Sequence, residues 1–504
     1  MLVSLLCLPF MSALISWLIL KNDLRRLFLA TVALGELVMA LSCWVYPPEP
    51  VGTLLALDDM GRLVLTVTCI LFFAASVYGV GYLRGEDSHQ VRRKDFFQGF
   101  MFTNAPEAIF TSCLLLFLAS AVLVSITQHF GLLWIGIETT TLVSAPLIYF
   151  HRHNRSLEAT WKYLMICSVG IALALVGNLL LDIAMQTGDE KQAVEMTLNN
   201  LLVLASSSHQ GWFKAAFVFL LIGYGTKMGL APMHTWLPDA HSEAPSLVSA
   251  LLSGALLNCA FLGIFRAYQV SLAAGLGDMT SILLMAFGFA SLFTATIFIL
   301  GQSDFKRMLA YSSVEHMGIL LLGLGVAYHV LANHPLAQGY SVRISQAFGV
   351  HMMGHSFVKA ALFMLAGNIL AKYKTKNCRE VTGLCKTLPI TGALWLTAIL
   401  AITGSPPFVL FISEFSILQG LLSSQMYWQA VAYLAMLGII FVGMFSPTLH
   451  MYRGRATQGL AQELHESLWL TLPPLCLLAL ALTLGVFMPS WLSKSLAGIT
   501  LLLQ

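Results

Sequence analysis

Three observations on this sequence predict an all-α, polytopic membrane protein of about fourteen transmembrane helices. Of its 504 residues, 58% are hydrophobic and only 10% are charged. A typical soluble protein carries about 25% charged residues, so this chain could not cover a water-facing surface of its size. Apolar runs of the roughly 20 residues needed to cross a bilayer recur along the chain. The basic residues alternate between the resulting loops. The odd-numbered inter-helix loops hold 18 of the 27, from Lys21, Arg25 and Arg26 to Arg453 and Arg455. That bias places the basic loops in the cytoplasm and both termini outside, and it favours an even number of spans.

The runs near 2–20, 27–46 and 62–83 form helices 1–3. The first is long enough to span and lacks a cleavage-site pattern, so it reads as a retained helix. Helix 2 carries Glu36, for which a structural role is favoured. The runs near 107–128, 130–150, 159–184, 212–233 and 245–265 form helices 4–8. Glu138 is the only formal charge between Phe130 and Phe150, about 12–14 Å of helix rise from either end. Helix 6 carries Lys162 near its start, as a pathway group or as a lysine snorkelling to the cytoplasmic surface. Helix 7 carries Lys227 inside "GYGTKMGLAPMHTW".

Helices 9–14 follow near 279–300, 307–329, 344–371, 388–422, 427–452 and 468–492. Helix 10 contains Glu315 and His316. Helix 11 places His351, His355 and Lys359 at i, i+4 and i+8, stacked along one face. Glu414 in helix 12 is the sole formal charge between Thr387 and Tyr452.

An ionisable group inside a span costs a few kcal/mol and is functional by default. A mutually neutralising structural pair is the alternative for Glu138 and Lys227, and a metal site the alternative for His351 and His355, although Lys359 would oppose a cation there. Two of the charges lie beside helix breakers. Helix 7 has Gly223, Gly225, Gly229 and Pro232 around its lysine, and helix 12 has Gly404, Pro406 and Pro407 before its glutamate. Interrupted spans in corresponding positions point to inverted repeats with an ion pathway at the break. Helices 4–8 and 9–13 would be two five-helix repeats, with helices 7 and 12 discontinuous. Burial and an opposite charge pull a protonation equilibrium in opposite directions, which suits such groups to proton transfer.

Seven of the nine cysteines lie inside apolar runs, where cysteine behaves as a small hydrophobe. Cys378 and Cys385 share a loop, but C-x6-C without companion ligands is a poor metal signal. There is no cluster motif, c-type haem site, Rossmann fingerprint or P-loop. No redox cofactor, other cofactor or metal is expected on this chain, nor nucleic-acid binding at a net charge of +3.

The segments "YGTKMGLAPMHTWLPDAHSEAPS", "SDFKRMLAYSSVEHMG", "VHMMGHSFVKAALFMLAGN" and "PPFVLFISEF" resemble the antiporter-like subunits of respiratory complex I, Mrp antiporters and membrane-bound nickel–iron hydrogenases. The resemblance spans roughly residues 60–455, and "IETTTLVSAPL" and "AYSSVEHMG" are most similar to hydrogenase-4 component F. It implies two half-channels for protons and a pathway of Glu138, Lys227, His351, His355, Lys359 and Glu414. Lys162, Ser253, Asn258 and His316 are weaker pathway candidates. Helix 8 departs from the pattern: where relatives offer a lysine or histidine, "SALLSGALLNCAFLG" offers only Ser253 and Asn258. The implied divisions are 1–106, a first repeat 107–265, a second repeat 266–455, and 456–504 with helix 14. A long lateral amphipathic helix after helix 14 is not expected, so neighbouring subunits would provide coupling.

The function implied is proton translocation in the bacterial inner membrane, within a redox-driven complex such as a group 4 nickel–iron hydrogenase or formate hydrogenlyase, with electron transfer in partner subunits. The rival readings are an Mrp-like cation/proton antiporter module, the membrane subunit of an inorganic-carbon uptake complex, and an inactive membrane scaffold.

Overall fold

The structure is a computed structural model that describes residues 1–87, 93–94, 101–102, 104–186, 195–333, 343–344, 346–454 and 466–501. Among these, twelve helices are long and apolar enough to cross a membrane. The other two expected spans are also present. Helix 1 is the 17-residue Leu2–Leu18, and helix 12 is split into Pro389–Ile402 and Val409–Ser423.

The helices in order are Leu2–Leu18, Asn22–Val45, Asp59–Asp87, Glu107–Ile126, Phe130–Ile148 and Asn154–Met185 for 1–6. Helix 7 is Gln210–Met228 followed by Trp236–Glu243. Helix 8 runs through Ser246–Leu251, a wide turn at Leu252–Leu256 and Leu257–Ala273. Gly277–Ile299, Phe305–Asn333 and Ala347–Tyr373 are helices 9–11. Helices 13 and 14 are Tyr427–Tyr452 and Leu468–Val486. A further helix, Ser490–Leu501, follows, where the sequence suggested that helix 14 simply ran to 492. A short helix, Leu198–Leu204, and a two-residue strand pair, Arg93–Lys94 with Met101–Phe102, complete the described elements.

Helix 8 is buried from Ser246 to Ser271 and helix 11 nearly throughout, while helices 2, 13 and 14 are buried over a third or less. The charged and histidine-bearing helix 11 is thus kept from lipid, as the cost of an ionisable group in hydrocarbon requires. The outer surface is apolar instead: Trp161, Met165 and Val169, at i, i+4 and i+8 of helix 6, are each more than half exposed. Such a stripe would be a liability in water, and in a bilayer it faces a solvent as apolar as itself.

Several basic residues depart from the loop count. Helix 2 begins at Asn22, so Arg25 and Arg26 are buried helix residues and not loop residues. The Arg26 guanidinium donates from Nε and Nη2 to the Glu107 carboxylate at 2.8 and 2.6 Å, joining helix 2 to the start of helix 4. Lys306, expected in a loop, lies in the first turn of helix 10 and is buried. Arg266, expected at a helix edge, is wholly buried inside helix 8. Arg92, Lys191 and Arg455 lie outside the described residues.

Candidate functional site

Helix 7 stops at Met228 because Gly229 takes a left-handed φ of +80°. The Leu230 N–H then bonds the Gly225 carbonyl at 2.9 Å, and the Gly229 N–H bonds that of Thr226 at 3.2 Å. This pairing is the Schellman end, which satisfies carbonyls that a broken helix would leave bare. The Trp236 indole N–H adds a second donor to the Thr226 carbonyl at 2.8 Å. Lys227 therefore sits in the last turn of a helix, where the macrodipole favours a cation, and the side chain is wholly buried.

The ammonium donates to Thr141 Oγ1 at 2.6 Å and to Tyr163 Oη at 2.7 Å. Tyr163 and Ser144 share a 2.6 Å bond, and Ser144 Oγ in turn donates to the Thr140 carbonyl at 2.6 Å. The one tyrosine proton is therefore directed at Ser144. Glu138 belongs to the same neighbourhood but is held otherwise: its Oε1 accepts from Ser168 Oγ at 2.9 Å, and its Oε2 is buried without a partner. Glu138 and Lys227 form no ion pair within 4.0 Å. The neutralising pair left open by the sequence is absent.

Between the two charged clusters, helix 8 supplies hydroxyl and amide. Ser253, in the wide turn, bonds Ser313 of helix 10 at 2.9 Å. Asn258 donates to the Gly254 carbonyl at 2.7 Å and to Ser356 Oγ of helix 11 at 2.8 Å, while its Oδ1 has no partner. Single wide turns of this kind recur at functional sites.

In the second cluster, His351 Nε2 lies 3.0 Å from His316 Nδ1, and His351 Nδ1 lies 2.9 Å from Ser413 Oγ. Ser413 spends its own proton on the Leu410 carbonyl at 2.8 Å. It must accept from His351 Nδ1–H, which makes His351 Nε2 the acceptor and His316 Nδ1–H the donor. His316 Nε2 is then left as a buried lone pair without a partner. The His355 ring sits 5.0 Å from that of His316, with neither nitrogen bonded. Lys359, a turn further, donates to the Leu309 carbonyl at 2.7 Å. Glu414 folds back on the break in helix 12: Gly404 has φ +67°, and a Cβ there would fall 2.0 Å from Glu414 Oε2.

His316, His351 and Glu414 each present one ligand atom within 4.8 Å of the others, a set of a type and size to hold a cation. The His316–His351 hydrogen bond already uses one nitrogen of each of the two rings. His355, in the pair that sequence spacing suggested for a metal, is not part of it.

The structure thus brings Lys227 together with Glu138's helix, and His316, His351, His355 and Glu414 with one another. It sets Lys162 apart. That ammonium is half-exposed and pairs with Glu158 at 2.6 Å and Asp239 at 3.0 Å. His316, a minor candidate from sequence, is central to its cluster. Tyr163, Thr141, Ser144, Ser168 and Ser413 were not singled out, although the polar density of "ETTTLVSA" was a signal. His241, buried with neither nitrogen bonded and stacked at 5.0 Å on Phe363, was also missed. Cys378, outside the spans, has its thiol pushed up to about 12, by burial first and nearby Asp304 second. It is not part of any metal-ligand set among the described residues.

A family model described as "NADH:quinone oxidoreductase/Mrp antiporter, TM" matches residues 127–440. A hydrogenase-4 component F homolog of Methylacidiphilum infernorum is 33% identical over 378 residues, covering 74% of each chain. Hydrogenase-4 component B of Escherichia coli is 30% identical over 378 residues, 75% of this chain and 52% of that one, so the match spans about half of that relative. Among solved structures, a chain of an archaeal membrane-bound sulfane sulfur reductase superposes with a TM-score of 0.82 at 20% identity, covering 99% of this chain and 97% of that one. A chain of the Mrp complex from Dietzia sp. does so with 0.81 at 19% identity and the same coverages.

Proposed function

The chain belongs to the NADH:quinone oxidoreductase/Mrp antiporter family of membrane subunits, and from that premise we propose that it moves protons within a redox-driven complex, a group 4 nickel–iron hydrogenase or formate hydrogenlyase. The observation that carries the proposal is Lys227: a wholly buried ammonium at a helix break, bonded to two neutral hydroxyls and to no carboxylate. A structural lysine would be neutralised by an acid. A lysine held by hydroxyls keeps a proton that a change at nearby Glu138 can dislodge.

In this reading, 107–265 and 266–455 are inverted five-helix repeats, each built around one break, with 1–106 and 456–504 flanking them. A proton leaves Lys227, crosses the Ser253–Ser313 and Asn258–Ser356 contacts with the help of water, and reaches His355, His316 and His351. Glu414 passes it out. His316, with its open nitrogen, is the acceptor, and His351 relays along its bond to Ser413. Lys359 sets the field at the row, and Lys162 belongs to the surface entrance with Asp239. Redox centres reside in partner subunits, and this chain carries no cofactor. The chain is placed in the bacterial inner membrane with both termini on the periplasmic side.

A second reading, a cation/proton antiporter module, is favoured by the 30% identity over 402 residues to Na(+)/H(+) antiporter subunit A1 of Staphylococcus epidermidis. Mass spectrometry of what copurifies after mild detergent extraction separates the two. A nickel–iron large subunit with iron–sulfur proteins is the expected result, and antiporter subunits alone would transfer the chain to the second reading.

A further inference from the structure

On the far side of Lys227 from the helix break lies a buried polar group of residues that the pathway above does not use. Tyr224 precedes Lys227 by nearly one turn of helix 7, and a helical side chain leans toward its helix's N-terminus. Its hydroxyl is therefore directed away from the break, toward the end at Gln210. There the Tyr224 ring packs on helix 8, 3.0 Å from where a Cβ of Gly263 would stand, one turn before Arg266, and its hydroxyl interacts with the Asn178 amide of helix 6 and the Arg266 guanidinium. Asn178 also reaches the Phe130 carbonyl at the start of helix 5, at 3.5 Å, which fixes its level near that face. Arg266 Nη2 donates to Asp58 Oδ1 at 3.3 Å. Asp58 Oδ1 also accepts from the Gly61 N–H at 3.0 Å, at the start of helix 3, and its side chain is 22% exposed.

The orphaned atoms of this group are balanced. Three donors, Arg266 Nε, Arg266 Nη1 and Tyr224 Oη, and two acceptors, Asp58 Oδ2 and Asn178 Oδ1, are buried without a partner. A dry ion pair would leave five desolvation penalties uncompensated in one place. A buried water needs about three polar partners of mixed type, which this set provides.

We propose that Tyr224, Asn178, Arg266 and Asp58 line a water-filled branch that joins Lys227 to the membrane face where helix 3 begins, so that the first repeat exchanges protons with that face as well as with the second repeat. The branch deepens the proton-translocating reading of Lys227 and rests on it for its role as a route. Asp58 is its mouth and offsets the Arg266 charge that would otherwise oppose an excess proton, and the Tyr224 hydroxyl is its innermost relay.

The test uses the assembled native complex and hydroxyl-radical footprinting by X-ray radiolysis, which oxidises side chains that touch bound water. Tyr78 is the internal control, equally buried but bonded to the Met364 carbonyl at 2.9 Å and to Asn368 Oδ1 at 3.0 Å. Tyr224 is expected to be oxidised at least about fivefold faster than Tyr78, since its hydroxyl is unbonded whereas that of Tyr78 is already satisfied by protein. Equal rates would overturn the branch, whatever Lys227 does in pumping. The companion variant Tyr224→Phe keeps the ring and removes the relay. Driven proton flux is expected to fall several-fold with the complex assembled, and unchanged flux beside an oxidised Tyr224 would overturn the branch as a route. If Lys227→Ala pumps normally while Tyr224 is wet, it is the reading of Lys227 that fails, separately from the water itself.

Discussion

The Lys227 ammonium lies 2.7 Å from the Tyr163 hydroxyl, on the neighbouring helix 6, and this bond replaces the ion pair with Glu138 that sequence reasoning left open. A buried ammonium held by neutral oxygens lacks the charge-assisted bond that a carboxylate partner would supply.

Tyr163→Phe removes one of these two holders while keeping the aromatic packing against Trp236, 5.0 Å away between ring centres. Losing a hydrogen bond to a buried charge costs about 1.5–3 kcal/mol. Driven proton flux in vesicles is expected to fall at least about tenfold, with the complex still assembled by native gel. Flux at the parental level would remove Tyr163 from the site.

The His316–His351–Ser413 chain should behave as one unit, because each member fixes the tautomer of the next. His316→Gln and His351→Gln are each expected to lower flux strongly, and the double variant to be little worse than either single one. Multiplicative losses would mean that the two histidines act independently.

Gly229→Ala tests the break. The residue has φ +80°, and a Cβ would fall 2.4 Å from Leu237 Cδ1. A left-handed conformation alone costs a non-glycine residue about 1–2 kcal/mol. The variant is expected to lower the thermal transition of the purified complex and to disturb flux through Lys227 two residues away. Parental stability and flux would show that the break has no such demand.

Breaking the Arg26–Glu107 pair should act on the fold and not on transport. Both side chains are nearly buried and the contact is bidentate, and removing one partner of such a pair costs roughly 3–5 kcal/mol. Glu107→Gln is expected to reduce the amount of assembled protein while whatever assembles transports at the parental rate per molecule. Normal yield would show that the pair is dispensable.

The helices were legible because hydrophobic length alone decides a span: helix 13 was read as 427–452, and Tyr427–Tyr452 is the helix found. The breaks in helices 7 and 12 were legible because glycine and proline leave few alternatives to an interrupted helix. Charge misled where it was paired or sheltered. Arg25 and Arg26 were read as loop because the apolar run of helix 2 was taken to begin near residue 27, and the buried carboxylate that pairs with Arg26, Glu107, is 81 residues away. Arg266 and Lys306, both buried, likewise lie one residue outside the runs read as helices 8 and 10. The hydroxyls around Lys227 were missed because serine and threonine are common in membrane helices and usually bond their own helix's carbonyls, as Ser144 also does. Only the crossing of helices 5, 6 and 7 sets Thr141 and Tyr163 apart from the rest.

The central claim is tested most directly by proton uptake into inside-out membrane vesicles driven by the complex's own electron donor, comparing the parental chain with Lys227→Ala. The account predicts that uptake is lost while the variant complex assembles with its full set of subunits. Parental uptake by the assembled variant would contradict it.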